Sequence, residues 1–204
     1  KDATAINNGA KRKELTDTTA TTAAKLQGLP SEINVYPDVV LASKEGIAYM
    51  GDNKGIVNAR GKTTAVNHSS IIGYAKKGGK VNIYGEVTAQ DRNTTSDNNK
   101  YKNIGAFAES GGTVNIEGRV TINGIGAFAK GANSKAQLLS GKDVIEAGTV
   151  GGLVATEGGY ARLNGGTINI TKDNSRLFYA DATGKVDFTG ATAINMSKGI
   201  ILPQ

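Results

Sequence analysis

Residues 105–131 read GAFAESGGTVNIEGRVTINGIGAFAKG, and the tetrapeptide GAFA occurs in this stretch twice, beginning at Gly105 and at Gly126. The chain has 28 glycines among 204 residues, so two copies of GAFA do not by themselves establish a repeat. The segment between the copies provides the test, because a structural repeat must recur elsewhere in the chain with the same spacing.

A seven-residue box that begins and ends in glycine lies between the two copies, as GTVNIEG at 112–118. The same box, once without its first glycine, recurs as GIVNARG (55–61), GKVNIYG (79–85), KAQLLSG (135–141), GYARLNG (159–165) and GKVDFTG (184–190). Successive boxes begin 24, 33, 23, 24 and 25 residues apart. One period of about 24 residues accounts for all of them if the second unit carries an insertion. The polar run DRNTTSDNNKYK at 91–102 is the predicted insertion.

Side chains alternate within the box. The third and fifth positions are mostly apolar, whereas the fourth is asparagine in three copies, at Asn58, Asn82 and Asn115. A period of two with one apolar face predicts a half-buried strand. Stacking of the copies would align the three asparagines, so we predict a ladder of side-chain amides along one column.

The degenerate box at 135–141 departs from this pattern. It places Gln137 at the third position and Leu139 at the fifth, which predicts a break in the apolar column at Gln137. We therefore expect a locally irregular coil at 130–141, with a second loop insertion at 130–137. The glycine that closes all six boxes predicts either a bend or a positive φ angle at that corner.

Two further strand-like runs flank each box, so one unit holds three short strands in about 24 residues. That is too little for an independent sheet, but it suits one coil of a parallel β-helix, in which each strand pairs with its equivalent in the next coil. The sequence predicts about six such coils over residues 46–204, a rod of about 29 Å at about 4.8 Å per coil. Phe107 and Phe128 of the two GAFA copies should then stack. A propeller blade needs about 40 residues, and leucine-rich repeats need a helical side that the pattern lacks.

Residues 1–45 do not show the box and are predicted to form a less regular N-terminal segment. Helical spacing of Leu15, Thr19, Thr22 and Leu26 predicts a short helix at 12–27, although β-branched threonines oppose it. The run EINVYPDVVLAS at 32–43 predicts strands that cap the rod or lead into its first coil.

Composition argues against several classes of function. The chain has no cysteine, which excludes disulfides and thiolate metal sites, and no apolar run approaches the roughly 18 residues of a membrane helix. The net charge of +6 comes from lysines scattered at turns, so we expect no nucleic-acid partner. We also expect no cofactor and no bound metal.

No catalytic constellation is evident, and the protein is predicted not to be an enzyme. His68 is the single histidine and follows the pattern of a surface turn residue, although Ser69 and Ser70 adjoin it. The carboxylate pairs that could serve in acid–base catalysis are Asp143 with Glu146 and Asp181 with Asp187, and each carboxylate is expected to be a solvated outward residue.

The sequence IGAFAESGGTVNIEGRVTINGIGAFAKG (104–131) resembles the passenger-domain repeats of large type V autotransporter adhesins of the fusobacterial, RadD-like kind. The resemblance covers about residues 46–200 and implies a right-handed parallel β-helix that folds outside the cell. It implies anchoring through a C-terminal β-barrel that is not in this chain, without membrane insertion of this segment. It also implies adhesion at the bacterial surface, with a surface protein or glycan of a host cell or partner bacterium as the ligand.

We therefore expect an extracellular adhesin or stalk segment that displays binding loops. The first candidate is the insertion at 91–102, and its candidate ligand-binding residues are Arg92, Asp97, Lys100, Tyr101 and Lys102. The second candidate binding segment is the turn at 131–137, and the third is the basic run at 11–13. Two alternatives remain open from the sequence, a carbohydrate-active β-helix enzyme such as a lyase or hydrolase, and a structural spacer without a ligand.

Overall fold

The computed structural model describes residues 5–7, 30–90 and 102–198, and these residues form eighteen β-strands and the turns between them. Each coil uses three strand positions, and three long strands pass through two positions each. The first position holds β1 (Ala5–Asn7), β4 (Ile47–Asp52), β7 (Ile71–Lys76), β10 (Asn103–Glu109), the second part of β12 (Val120–Lys130), β15 (Leu153–Thr156) and β17 (Phe178–Ala180).

The second position is that of the box, and the third follows it. The box position holds β2 (Glu32–Val35), β5 (Ile56–Ala59), β8 (Lys80–Ile83), β11 (Thr113–Ile116), β13 (Lys135–Leu138) and the first parts of β16 (Tyr160–Ile170) and β18 (Lys185–Met196). The third position holds β3 (Val39–Leu41), β6 (Thr63–Ala65), β9 (Val87–Ala89), the first part of β12, β14 (Asp143–Glu146) and the second parts of β16 and β18.

Every strand pairs in parallel with its equivalent in the neighbouring coil. The box strands align in one register from Ile33 through Val57, Val81, Val114, Ala136 and Ala161 to Val186. The predicted parallel β-helix of about six coils is confirmed, as a β-solenoid whose complete coils run from Ile47 to Met196.

The solenoid begins before residue 46. Strands β2 and β3 pair in register with β5 and β6, and β1 pairs with β4 in the first-strand position. Residues 31–37 (SEINVYP) thus occupy the box position, with Ser31 and Pro37 where later boxes have glycine. The sequence pattern did not predict this box, because both of the glycines that define a box are replaced in it. The helix predicted at 12–27 lies outside the described residues.

The core consists of columns of inward side chains, one per coil. In the box strands the column of Ala59, Ile83, Ile116, Leu138 and Leu163 has no solvent exposure. The GAFA strand approaches this core closely, since a Cβ at Gly126 would lie 2.4 Å from Cδ1 of Ile145 and one at Gly105 would lie 2.6 Å from the carbonyl oxygen of Gly126. Glycine therefore begins each GAFA for different reasons, because a Cβ would meet core side chains at Gly126 and the backbone of the neighbouring coil at Gly105.

An amide ladder follows the outward column of the box strands. It consists of Asn34, Asn58, Asn82, Asn115 and Gln137. The Nδ2 of Asn58 donates to Asn34 (3.1 Å), that of Asn82 to Asn58 (2.8 Å), and that of Asn115 to Asn82 (3.2 Å). The predicted ladder is confirmed, and Asn34 extends it by one coil.

Gln137 corrects one sequence expectation. It pairs with Asn115 and its Nε2 donates to Asn115 Oδ1 at 2.9 Å, so it continues the amide ladder and does not interrupt the apolar column. The box in this coil is 134–140, one residue earlier than predicted, and Leu138, not Leu139, fills the core column. Ser140 stands where the other five predicted boxes close with glycine, so the closing glycine is not present in all six.

The expected irregularity at 130–137 is small. Strand β13 begins regularly at Lys135, and the turn before it, at 131–134, holds one residue more than the equivalent turn at 110–112. The following corner, 139–142, is also one residue longer than 117–119, and Gly141 adopts a positive φ of 73° there.

An aromatic column lies on the outward face of the first strands. The rings of Tyr74 and Phe107 stack at 5.0 Å with 8° between their planes, and those of Phe107 and Phe128 stack at 4.9 Å. The predicted stacking of Phe107 near Phe128 is confirmed. The faces of these rings cover one another, so the column presents mainly ring edges to solvent.

Two physical constraints explain why the boxes close with glycine. A Cβ at Gly85 would lie 2.0 Å from the carbonyl oxygen of Gly61 in the preceding coil, and one at Gly118 would lie 1.9 Å from that of Gly85. Close approach of successive corners therefore requires glycine at these positions. Gly165 and Gly190 instead adopt positive φ angles of 78° and 77°.

We expect Asn82→Ala to destabilise the rod by about 1–2 kcal/mol, because it removes two ladder bonds and leaves Asn58 Oδ1 and Asn115 Nδ2 without those partners. The matched control is Asn34→Ala, at the exposed end of the ladder, which should cost less. Urea unfolding followed by circular dichroism measures both. Equal losses for the two variants would contradict a cooperative ladder.

Candidate functional site

Length variation is concentrated at one corner of the coil, the variable corner, which joins the third strand of one coil to the first strand of the next. Five residues separate Ala65 from Ile71. At the equivalent positions of the next two coils, fourteen separate Ala89 from Ile104 and two separate Ile122 from Ile125. In contrast, the other two corners hold three residues each from β4 to the start of β12. The variable corner is therefore where the rod accepts loops.

The two-residue connection at Asn123 and Gly124 is short, and the connections on either side of it are longer. A groove, the corner groove, lies beside it with a volume of about 820 Å³. Its apolar lining includes Ile104, Ile125 and Val150, and its basic lining is Lys102, Lys172 and Lys198.

The charges of the corner groove are predominantly positive. Asp173 also lines it and forms an ion pair with Lys198 at 3.6 Å, in which both side chains are more than half exposed. An exposed pair of this kind is weak in water, so Lys198 can exchange this partner for an anionic ligand. The groove therefore combines apolar contact area with a basic border.

Asn103 fixes the base of the long connection. It is fully buried, its Oδ1 accepts a hydrogen bond from the backbone N–H of Ser70 at 3.0 Å, and its Nδ2 donates to the carbonyl of Ala89 at 3.3 Å. These bonds join Asn103 to the residue before β7 and to the last residue of β9, and they hold the backbone next to Lys102 in place. The corner is thus held by residues outside the 91–102 insertion.

Of the predicted ligand-binding residues, Lys102 lies in the corner groove and is exposed. Arg92, Asp97, Lys100 and Tyr101 lie outside the described residues, as does the basic run at 11–13. Sequence reasoning missed Ile104, Ile125, Lys172 and Lys198, which come from different coils. One sequence feature could have indicated this corner. In RVTINGIGAFA (119–129) the third strand of one coil continues directly into the GAFA strand of the next, without a polar connecting segment.

The surroundings of His68 are those of a turn. Its Nδ1 lies 3.1 Å from Oγ of the adjacent Ser69, a residue with a positive φ of 59°. Ser70 Oγ is buried and has no hydrogen-bond partner among the described residues. The contact of His68 with Ser69 is therefore a hydrogen bond between adjacent residues of one turn.

The carboxylates proposed as pairs each have separate partners. Asp143 faces inward and Glu146 outward, where Glu146 Oε1 accepts from Asn169 Nδ2. Asp181 accepts backbone N–H bonds from Glu157, Thr183 and Gly184, whereas Asp187 accepts from the hydroxyl of Tyr160. The expectation that each is solvated is wrong for Asp143, which is fully buried.

The carboxylate of Asp143 accepts a hydrogen bond from a backbone N–H group. Its Oδ1 accepts from the N–H of Val120 (2.8 Å) and the hydroxyl of Ser140 (2.7 Å), and its Oδ2 is buried without a partner among the described residues. Burial raises the pKa of Asp143, although these two hydrogen bonds and the charge of Arg119 oppose the shift. The group therefore favours its neutral form in the folded protein more than in the unfolded chain.

Among residues 30–90 and 102–198, no cluster of three or more His, Asp or Glu side chains is placed to hold a metal ion. The part of the chain that the structure describes contains no helix of the length and apolarity that a membrane span requires.

No protein-family model, curated protein or solved structure matches this chain.

We expect deletion of residues 91–101 to leave the solenoid folded. It would leave three residues between Ala89 and Ile104, which falls between the two and five of the neighbouring coils and keeps Asn103 in place. Circular dichroism and urea unfolding measure the outcome. The control is deletion of 110–112, a corner whose length differs by at most one residue between the coils from β4 to β18, which should abolish cooperative unfolding. Loss of cooperative unfolding in the 91–101 deletion would contradict the prediction that this segment is a loop insertion that the fold does not require.

Asp143 should make stability pH-dependent. Its folded pKa lies above the unfolded value of about 3.9, so its contribution to stability is complete below that value and is lost as pH rises through the folded pKa. Asp143→Asn removes this titration while retaining the Oδ1 acceptor. We expect the Tm of the variant, relative to that of the parent, to rise as the pH increases above about 4. Parallel Tm curves would contradict the burial effect.

Proposed function

We propose that this chain is an extracellular adhesin or stalk segment of an autotransporter passenger, which presents a binding surface at its variable corner. The observation that carries the proposal is the contrast between corners. Two corners keep a constant length over three consecutive coils, while the third ranges from two to fourteen residues and borders the corner groove. Loops that vary on a constant scaffold are a common way to present binding residues.

The scaffold suits display at a distance from a surface. Each coil is hydrogen-bonded to its neighbours along all three strand positions, and the amide ladder and aromatic column repeat those contacts outside the core. A change in one corner loop therefore leaves the stacked strands unaltered. The rod can carry different loops at a similar geometry.

The ligand we propose is a surface protein or glycan that bears anionic groups. Lys102, Lys172 and Lys198 provide the charge complementarity, and Ile104 with Ile125 provides apolar contact. The proposed location is the bacterial cell surface, with anchoring through a β-barrel elsewhere in a longer protein. The absence of cysteine is compatible with export in an unfolded state. We propose a binding role without catalysis.

A competition assay tests the proposal. The purified chain should block coaggregation of bacteria or attachment to host cells, and a glycan array with a surface-protein panel should identify a ligand. The double variant Lys102→Glu, Lys172→Glu should weaken binding about tenfold or more, about 1.4 kcal/mol, because it reverses two charges of the groove. The matched control is Lys135→Glu, an exposed lysine on the box strand.

Three outcomes would contradict the proposal in different ways. Absence of binding and blocking in every format would leave a spacer. Binding that both variants retain equally would place the ligand site outside the corner groove. Cleavage of a polysaccharide would instead support a carbohydrate-active enzyme.

A further inference from the structure

The corner groove is elongated along the rod axis. Its lining comes from the variable corners before β7, β10, β15 and β17 and from the residues that follow β18. Successive coils are about 4.8 Å apart, so the levels of β7 and β17 lie about 19 Å apart. A volume of about 820 Å³ over that length corresponds to a cross-section of about 40 Å². The groove is therefore long and narrow, with room for one extended chain that lies parallel to the rod.

The basic side chains lie towards the two ends of the groove. Lys172 and Lys198 occupy equivalent places on adjacent coils, because each follows by two residues a member of the pair Ile170 and Met196. Lys102 immediately precedes β10, which is three coils before β17, so it lies about 14 Å along the axis from Lys172. The positive charges of the groove are therefore separated along the rod.

The end of the groove that holds two lysines is suited to an anion. Lys172 and Lys198 place like charges at neighbouring positions, and such charges repel each other. Asp173 offsets part of this repulsion through its ion pair with Lys198, but that pair is exposed and weak. An anionic group between the two ammonium groups would stabilise both lysines, and Lys102 offers a place for a second anionic group.

Between its basic ends the groove combines apolar and small polar side chains. The apolar side chains are Ile104, Ile125 and Val150, and the polar ones include Thr149, Thr171 and Asn174. Hydroxyl and amide groups both donate and accept hydrogen bonds, as the hydroxyl groups of a sugar do. Sugar rings also carry apolar C–H faces, so a glycan matches both components of this lining.

An extended acidic peptide matches the groove less well. Extended peptides are commonly recognised by addition of a strand to a free sheet edge. The strands that border the groove, β10, β12 and β15, pair with neighbouring coils on both sides. The peptide N–H and C=O groups would therefore lie against Ile104 and Ile125 without backbone partners, which is costly. The lining favours a glycan over an acidic protein segment.

We propose that the ligand of the corner groove is a linear acidic polysaccharide that lies parallel to the rod axis. One anionic group lies between Lys172 and Lys198, and another lies at Lys102. This inference rests on the proposed binding function of the groove. It carries a requirement for chain length, because only a ligand that spans about 14 Å or more reaches both ends.

Calorimetric titration with heparin oligosaccharides of increasing length tests this placement. Affinity should rise up to the length that reaches both ends of the groove. Lys102→Gln should weaken binding of the long oligosaccharides about fivefold and leave that of the shortest unchanged. Lys198→Gln should weaken binding of both. A parallel series of oligogalacturonates carries carboxylates in place of sulfates. Binding of either series supports the proposal, and the tighter series identifies the preferred anionic group.

A salt titration and a matched variant provide the controls. Affinity for the long oligosaccharides should fall as salt rises, and Lys102→Gln should reduce the slope of log affinity against log salt by about one, because one lysine–anion contact is lost. Lys135→Gln changes an exposed lysine of a box strand and should leave affinity unaltered. Urea unfolding of each variant confirms that the fold is intact.

The contrary outcomes are distinct. Equal affinities of Lys102→Gln and Lys135→Gln for the long oligosaccharides would exclude the axial placement. Tighter binding of polyglutamate than of either oligosaccharide series would identify an acidic protein segment as the ligand. A chain that binds no oligosaccharide but still blocks coaggregation or attachment would overturn this inference and leave the proposed adhesin function standing. A chain that neither binds nor blocks would contradict both.

Discussion

Each coil of this protein must stack on the next at the spacing of adjacent β-strands, about 4.8 Å. Parallel pairing at all three strand positions satisfies the backbone hydrogen bonds, but it also forces equivalent residues of successive coils into contact. A Cβ at Gly85 or Gly118 would overlap the carbonyl of the preceding corner, so glycine is required there. The high glycine content of the chain follows in part from this one constraint.

The same constraint explains the polar and aromatic columns. A side chain on the outer face lies next to its own equivalent, and amides satisfy each other in such a column because each group both donates and accepts. Asn58, Asn82 and Asn115 use this property, and Gln137 extends it with a longer side chain. In the aromatic column, Tyr74, Phe107 and Phe128 contact their equivalents in the neighbouring coils by ring stacking. Because those rings cover one another, the aromatic column contributes to the rod more than it offers to a ligand.

Where stacking does not constrain the chain, length can change. The variable corner holds two residues at Asn123 and Gly124 and fourteen in the coil before it, while the strands on either side keep their register. The corner groove results from this difference, since a short connection lies between longer ones. The buried Asn103 anchors the long connection through Ser70 and Ala89, so the loop and the scaffold have separate structural requirements.

The sequence by itself determined the coil period, the amide ladder and the Phe107–Phe128 stack, because each is a local pattern that recurs. It misplaced the degenerate box by one residue. In AQLL at 136–139 the alternation alone does not decide which leucine faces inward, and a shift of one residue exchanges the two faces of a strand. Only pairing with β11 and β16 places Leu138 in the core and Gln137 on the ladder. Tertiary structure also decided that Asp143 is buried and that Lys102, Lys172 and Lys198 share a groove, since residues 26 to 96 positions apart meet only when coils stack.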